Sequence, residues 1–381
     1  QGIHANTQIP KVIGLARIYE LTKQPEYATA AQFFWKNVTT KYSYVIGGNS
    51  DREYFQAPNT LSKYITEQTC ESCNTYNMLK LTRHLFEWNP NSVYFDYYER
   101  SHFNHILAHQ NPKTGMFAYM IPLMSGMARS FSSEFNDFWC CVGSGMESHS
   151  KHGESIYWHD NNNLIVNLFI PSTLDWSEKG AKFELTTHYP KADKITFKVN
   201  QINKTQQFGV SLRIPFWCEN AAVKINGKSA KLTKENGYAT IRRKWKTGDT
   251  ISLKLPMKPR LEPTNDNPNI VALMNGPLVL AADLGAADKP FDGVAPALVG
   301  NNLIAFLVPT NEPSVFQTKG TGRPNDLIFK PFYSEWERRT AVYFPKFTDA
   351  EWIKEQEKIA AEQARLKDLQ ARSVDVMKLG D

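Results

Sequence analysis

The chain has 381 residues, 41% of them hydrophobic and 22% charged, with a formal net charge of +6, enough for two or three domains with cores of their own. No apolar run approaches the roughly 20 residues that cross a bilayer. No basic cluster carries interleaved aromatics, so neither a membrane nor a nucleic acid is an expected partner.

The opening "QGIHANTQIPKVIGLARIYEL" has no initiator Met and no signal-peptide pattern. It enters a helical period at once, with Ile9, Val12, Ile13, Ala16 and Tyr19 at three- and four-residue steps. This reads as a piece of a longer protein cut inside a domain. After Pro25, "EYATAAQFFWKNV" predicts a second, antiparallel helix. Further helices are predicted over 71–88, 94–109 and 146–159. Between them lie Gly-, Asn- and Ser-rich stretches, notably "GGNSDREYF" (47–55) and the segment "NDFWCCVGSGME" (136–147). Helix pairs joined by such loops predict a helical barrel or toroid over residues 1–160, with a site on one rim.

From 161 to 260 the period changes to two. "FELTTHYP", "KITFKVN", "GVSLRIPFW", "AAVKING" and "ISLKLP" alternate apolar and polar residues, separated by turns such as Asn226-Gly227 and Asn236-Gly237. This pattern predicts a β-sandwich. "MKPRLEPTNDNPN" (257–269) reads as a linker, and residues 261–381 as a second strand-rich region ending in a charged helix. On that helix Trp352, Ile359 and Leu366 stand seven apart, a stripe expected to dock on the body because it lasts too few heptads for a coiled coil.

Four of the five cysteines fall in two tight groups, Cys70 with Cys73 and Cys140 with Cys141, while Cys218 stands apart as an expected buried small hydrophobe. Neighbouring cysteines make poor disulfide partners because the bridge strains the backbone. Three readings of the four remain open, beside unligated thiols in a core. They are a structural zinc site of four cysteines, a redox Cys-x-x-Cys, or a zinc site of Glu71, Cys73, Cys140 and Cys141. In the first reading Cys70 replaces Glu71. His149 and His152, three apart on a predicted helix, have metal-ligand spacing but no further partner. Trp139 and Tyr119 are either sugar-stacking platforms or core.

"HANTQIPKVIGLA", "GGNSDREYF", "ESCNTYNMLKL" and "FWCCVGSGMESHSKHGESIY", in this order, resemble the β-L-arabinofuranosidases of glycoside hydrolase families 127 and 146. "RIPFWCENAAVKING" and "VALMNGPLVLAADLG" extend the resemblance over nearly the whole chain. "ESCNTYNML" and "CCVGSGME" are closer to the second family, since Val142-Gly143-Ser144 stands where the first more often has Pro-Pro-Asn. The resemblance implies a multidomain α+β protein, the C-terminal part of an (α/α)6 barrel followed by β-sandwiches. It implies zinc on Glu71, Cys73, Cys140 and Cys141, with Cys140 as nucleophile and Glu53 as general acid/base. Arg52 stands where the family often has glycine. His4 and Tyr119 match residues that contact the sugar. The implied enzyme is a retaining exo-glycosidase that releases terminal β-L-arabinofuranose from plant oligo- or polysaccharides outside the cytoplasm. The alternative is a carbohydrate-binding or scaffold protein whose cysteine-rich zinc site is purely structural.

Overall fold

The computed structural model describes residues 2–160, 162–291 and 293–373. Helices dominate the first part of the chain and sheets the remainder, a multidomain α+β architecture. Among the described residues no helix is long and apolar enough to cross a membrane.

Helix α1 (Ala5–Thr22) starts at His4, whose side chain accepts a hydrogen bond from the Thr7 amide, and stops at Lys23 in the left-handed region. It buries Ala5, Ile9, Val12 and Ala16, the stripe its spacing predicts. Helix α2 (Pro25–Asn37) carries its proline in the first turn, where the missing N–H costs nothing. Helix α3 (Ser72–Trp88) is buried around most of its circumference, so α1, α2 and α4 (Ser92–Ser101) pack about it. Ile9, Trp35, Met78, Leu81, Phe86 and Phe95 share the resulting core. A π-helical turn, His102–Ile106, carries the chain from α4 into the short α5 (Leu107–His109).

The helix predicted over 146–159 lies elsewhere. Helix α6 spans Cys140–His149, and Tyr157–His159 is a strand. Gly143, Ser144 and Gly145 are weak helix formers, and this disguised the true start. Packing overrides propensity here: a Cβ on Gly145 would lie 2.6 Å from Phe117 and 2.7 Å from His109. The missing side chain lets α6 sit close against α5 and the chain at Phe117. Both cysteines therefore occupy the first turn of a helix rather than a loop.

Two sheets follow. One orders the strands Lys228–Ser229, Ala222–Ile225, Thr250–Lys254, Lys194–Ile202, Ala181–Thr187 and Ser172–Trp176; the other runs Thr233–Glu235, Tyr238–Trp245, Gln206–Arg213, Asn163–Val166 and Tyr157–His159. Their alternating apolar residues, among them Phe183, Phe197, Phe208, Ile241 and Trp245, fill one core. Asn226-Gly227 and Asn236-Gly237 adopt positive φ at both positions, the type I′ geometry of two-residue hairpins. The expected linker is in part a strand. Pro259–Pro263 pairs antiparallel with Ile270–Asn275 and opens the third sheet, because its backbone groups find an edge despite the prolines at either end.

The terminal helix α7 (Asp349–Arg372) departs from its expected docking. Trp352 packs on Phe347, with ring centroids 5.5 Å apart, but no residue of α7 is buried and Leu366 is 49% exposed. A capping box at Thr348 and Glu351 and same-face pairs such as Arg365–Glu362 sustain the helix in solvent instead.

Candidate functional site

Two helix beginnings converge on one place. Glu71 is the N-cap residue of α3 and Cys73 lies in its first turn, while Cys140 and Cys141 open α6. The ligand atoms of Glu71, Cys73, Cys140 and Cys141 all lie within 4.8 Å of one another. Cys73 Sγ is 3.3 Å from Cys141 Sγ, and Cys140 Sγ is 3.6 Å from Glu71 Oε1. Glu71, Cys73 and Cys141 are buried, whereas Cys140 is exposed. Glu71 Oε1 accepts from Asn6 Nδ2 at 3.4 Å, and its Oε2 is buried without a protein partner.

The cluster is chemically frustrated on its own. The Cys141 contact and burial push the Cys73 thiol up, burial pushes the Glu71 carboxyl up, and burial together with Cys73 pushes Cys140 up to about 11. Bringing three thiols and a carboxyl together favours their neutral forms. A divalent cation would reverse this, and three sulfurs with one carboxylate oxygen suit a tetrahedral zinc ion. The orphaned Oε2 and the convergent sulfurs fit such an ion. Four anionic ligands would exceed its charge, and the positive ends of α3 and α6 would offset the excess.

Beside the cluster stands the second carboxylate. Strand pairing of Ile3–His4 with Tyr54–Phe55 brings His4 next to Glu53, with His4 Nε2 3.7 Å from Glu53 Oε2. Arg52 and Glu53 both have positive φ, the conformation glycine adopts most easily, so the Arg52 position is one where glycine fits without strain. Here the Arg52 guanidinium is held by Asp51 and Glu67. Tyr119 OH donates to Glu53 Oε1 and lies 3.9 Å from Cys140 Sγ. Tyr119 is fixed through its backbone, its carbonyl accepting from the Ser72 amide at 3.5 Å. The predicted nucleophile and the predicted acid/base thus meet the same phenol from two sides.

Residues 1–154 match the model of the catalytic domain of glycoside hydrolase family 127 β-L-arabinofuranosidases, and residues 163–257 match that of the family's middle domain. The chain belongs to glycoside hydrolase family 127. The chain is 23% identical over 309 residues to the non-reducing end β-L-arabinofuranosidase of Bifidobacterium longum subsp. longum, covering 73% of this chain and 45% of that protein. It also superposes on a family 127 β-L-arabinofuranosidase of Geobacillus stearothermophilus with a TM-score of 0.74, at 22% identity over 90% of this chain and 60% of that one. A second family 127 β-arabinofuranosidase gives a TM-score of 0.76 with the same identity and coverage. At such identities these two likenesses speak for the fold. The chain spans about half the length of the curated relative it matches, 45%. The segments that lean toward family 146 lie inside the residues matched to family 127.

The rival ligands stand apart from the cluster of Glu71, Cys73, Cys140 and Cys141. Cys70, in the left-handed region at φ 58, turns its side chain away from Glu71 and packs against Gly48 beside His105. All five cysteines are free, and Cys73 faces Cys141. Cys218 is buried in the core shared by the sheets, as expected. His149 and His152 touch through ring nitrogens 3.2 Å apart, and no third ligand joins them among the described residues. Trp139 lies with its ring 5.8 Å from Tyr119, half-buried at the rim of the site. A separate group, Glu20, His84 and Glu87, has ligand spacing, but Glu20 is already engaged by Arg17, His84 and Trp88.

Three supporting residues escape a reading of the sequence. Asn6 reaches Glu71 and is itself held by Asn77 Nδ2 at 2.8 Å. Ser144 Oγ is 3.1 Å from Cys73 Sγ. Ser72 Oγ, flanked by two of the four cluster residues, is 3.0 Å from His109 Nε2. Asn6 was within reach, because it lies in the quoted "HANTQIPKVIGLA"; Ser144 stood out only as a departure from Pro-Pro-Asn, and neither its contact with Cys73 nor that of Ser72 with His109 was signalled, since the partners are remote in sequence.

Proposed function

We propose that this chain belongs to a zinc-dependent retaining exo-glycosidase that removes terminal β-L-arabinofuranose from plant-derived glycans outside the cytoplasm. We read its helices as part of an (α/α)6 barrel and its first two sheets as a β-sandwich behind it. The observation that carries the proposal is the division of labour within one cluster: Cys140 is exposed while Glu71, Cys73 and Cys141 are buried beside it. When bound, zinc would hold the thiols as thiolates near neutral pH, which a free thiol with a pKa of about 8.5 does not achieve.

Cys140 sulfur then attacks the anomeric carbon. The carbon–oxygen bond to the leaving group breaks as Glu53 donates its proton to the departing oxygen, leaving the sugar on sulfur. Glu53, now a carboxylate, takes a proton from water, whose oxygen attacks the same carbon and releases the Cys140 thiolate. Two inversions give net retention. Tyr119 holds Glu53 in position through both steps, and His4 flanks the carboxylate on its other side.

Cys140→Ala and Glu53→Ala variants of the full-length protein should lose hydrolysis of β-L-arabinofuranosides, and full activity in Cys140→Ala would end the thiolate mechanism. A panel of synthetic glycosides separates arabinofuranose from other furanoses and acidic sugars. Zinc-edge X-ray absorption should report three sulfurs and one oxygen or nitrogen. Four sulfurs would instead mean a closed structural site, the scaffold reading.

A further inference from the structure

The hydrogen bonds around the four cluster residues are unevenly shared. Asn6, half-buried in the first turn of α1, donates from Nδ2 to Glu71 Oε1 at 3.4 Å. The direction of its amide is set from behind. Asn77 Nδ2 donates to Asn6 Oδ1 at 2.8 Å, so the Asn6 oxygen faces Asn77 and its nitrogen is left for the carboxylate. Asn77 lies four residues after Cys73, on the same face of α3. Helix α3 thus braces the carboxylate at its own N-cap through a residue of α1. Asn6 engages Oε1, while Oε2 stays buried without a protein partner, open to a cation.

Ser144 stands in the same relation to Cys73. It follows Cys141 by three residues on α6, and its Oγ lies 3.1 Å from Cys73 Sγ and 3.4 Å from the Cys141 carbonyl. While Cys73 is a thiol, either atom of the Ser144–Cys73 pair can be the donor. A metal ligand must be a thiolate, which only accepts, so the hydroxyl then has to supply the proton. Cys73 has need of a donor, because its sulfur is 3.3 Å from that of Cys141. Two thiolates so close repel each other, and a charge-assisted hydrogen bond relieves part of that cost.

Cys140 has no such support. Its polar neighbours are Glu71 Oε1 at 3.6 Å, Cys141 Sγ at 3.8 Å and the Tyr119 hydroxyl at 3.9 Å, whose proton goes to Glu53. Among the described residues no amide or hydroxyl donates to its sulfur. Given the zinc-bound cluster proposed for this chain, we infer that Asn6 and Ser144 are positioning residues of the metal site. They tie Glu71 and Cys73 down as anchors, while Cys140 stays untied and free to reach a substrate. Hydrogen bonds of this kind orient metal ligands, and losing one weakens metal binding about 10- to 100-fold.

The test reads metal affinity rather than hydrolysis. Zinc dissociation constants of the full chain and of its Asn6→Leu, Ser144→Ala and Ser144→Thr variants are measured at one pH by competition with a chromophoric chelator. Cobalt(II) is titrated in parallel for its sulfur-to-metal charge-transfer band. Asn6→Leu and Ser144→Ala should each weaken zinc binding about tenfold or more. Ser144→Ala should also move the cobalt band to longer wavelength, and Ser144→Thr, which keeps the hydroxyl, should match the parent in both readings. Thermal melting of the metal-free chains separates this from lost packing. Alanine is the better helix former, so Ser144→Ala keeps the test decisive if Asn6→Leu misfolds. Parent-like affinity in every variant overturns the inference and leaves the zinc site standing. So does an equal loss in Ser144→Thr and Ser144→Ala, or a loss matched by a fall in metal-free melting. A parent chain that binds neither zinc nor cobalt overturns the zinc site itself, and the inference with it.

Discussion

Cys140 and Cys141 are chemical twins separated by burial. Cys141 is fully buried against Cys73, while Cys140 is exposed beside Tyr119. A residue that must reach a substrate needs the second environment, and one that only anchors a metal needs the first. Tyr119 is the residue on which this geometry turns, since it touches both Glu53 and Cys140, the proposed acid/base and nucleophile. Tyr119→Phe removes the donor to Glu53 and should lower kcat/KM about 10²-fold, with zinc content by atomic absorption unchanged. A loss of zinc alongside activity would show instead that the phenol supports the metal cluster.

At the scale of the element, α6 is the part that sequence periodicity misplaced and the proposed site depends on. Its small residues let the helix approach His109 and Phe117, and the same approach aims its first turn at α3. Gly145→Ala would force a methyl against ring carbons 2.6 and 2.7 Å away. Overpacking of this kind costs about 1–3 kcal/mol, and a displaced α6 should also carry its cysteines out of ligand range. Urea unfolding should show the destabilisation and metal analysis a lower zinc stoichiometry. Unchanged zinc with lower stability would mean that the cysteines tolerate the shift. The hairpins at Asn226-Gly227 and Asn236-Gly237 show the opposite case, where two adjacent residues with positive φ are enough to mark the turn in the sequence.

Across the whole molecule, one buried arginine ties the helical region to the sheets. Arg213, fully buried on its strand, contacts Asp96 at 2.7 Å and Glu99 on α4, and its Nε donates to the Asn167 carbonyl at 2.7 Å. Tyr189 OH adds a bond to Glu99 at 2.7 Å. Arg213→Met leaves two carboxyl groups without their cation and should destabilise the protein by about 3–5 kcal/mol, read as a lower urea midpoint. A smaller loss would mean that Asp96 and Glu99 simply take up protons. Stability should also fall in acid. Burial holds His102 and His105 down to about 3 and His149 down to about 4, against an ordinary 6.5. Depressed folded-state values favour the neutral rings, so their contribution is complete above pH 6.5 and lost as pH falls through about 4 and about 3. Asp96, pushed up to about 6 by burial, works in the opposite direction. Thermal melting from pH 7 to pH 4 should show a declining midpoint, and a flat profile would mean that the histidine cluster relaxes on protonation.

Much of this was local and therefore legible in the sequence alone. Period-two strands, the Asn-Gly turns, the stripe on α1 and the clustering of four cysteines each follow from residues near one another along the chain. So did the candidate site, because its ligands come in short motifs, Glu71 with Cys73 and Cys140 with Cys141. What remained open needed contacts between segments remote in sequence. The choice of Glu71 over Cys70 as the inward-facing group depends on a left-handed turn at Cys70 and on the space beside Gly48. The meeting of Tyr119 with Glu53 spans 66 residues, and the start of α6 rests on packing that no propensity contains. The stripe on α7 had the spacing to dock, yet only Trp352 at its start packs on the body, against Phe347, and Leu366 stays exposed. Sequence determines which local conformations are inexpensive, and tertiary packing decides which chemical groups come to face one another.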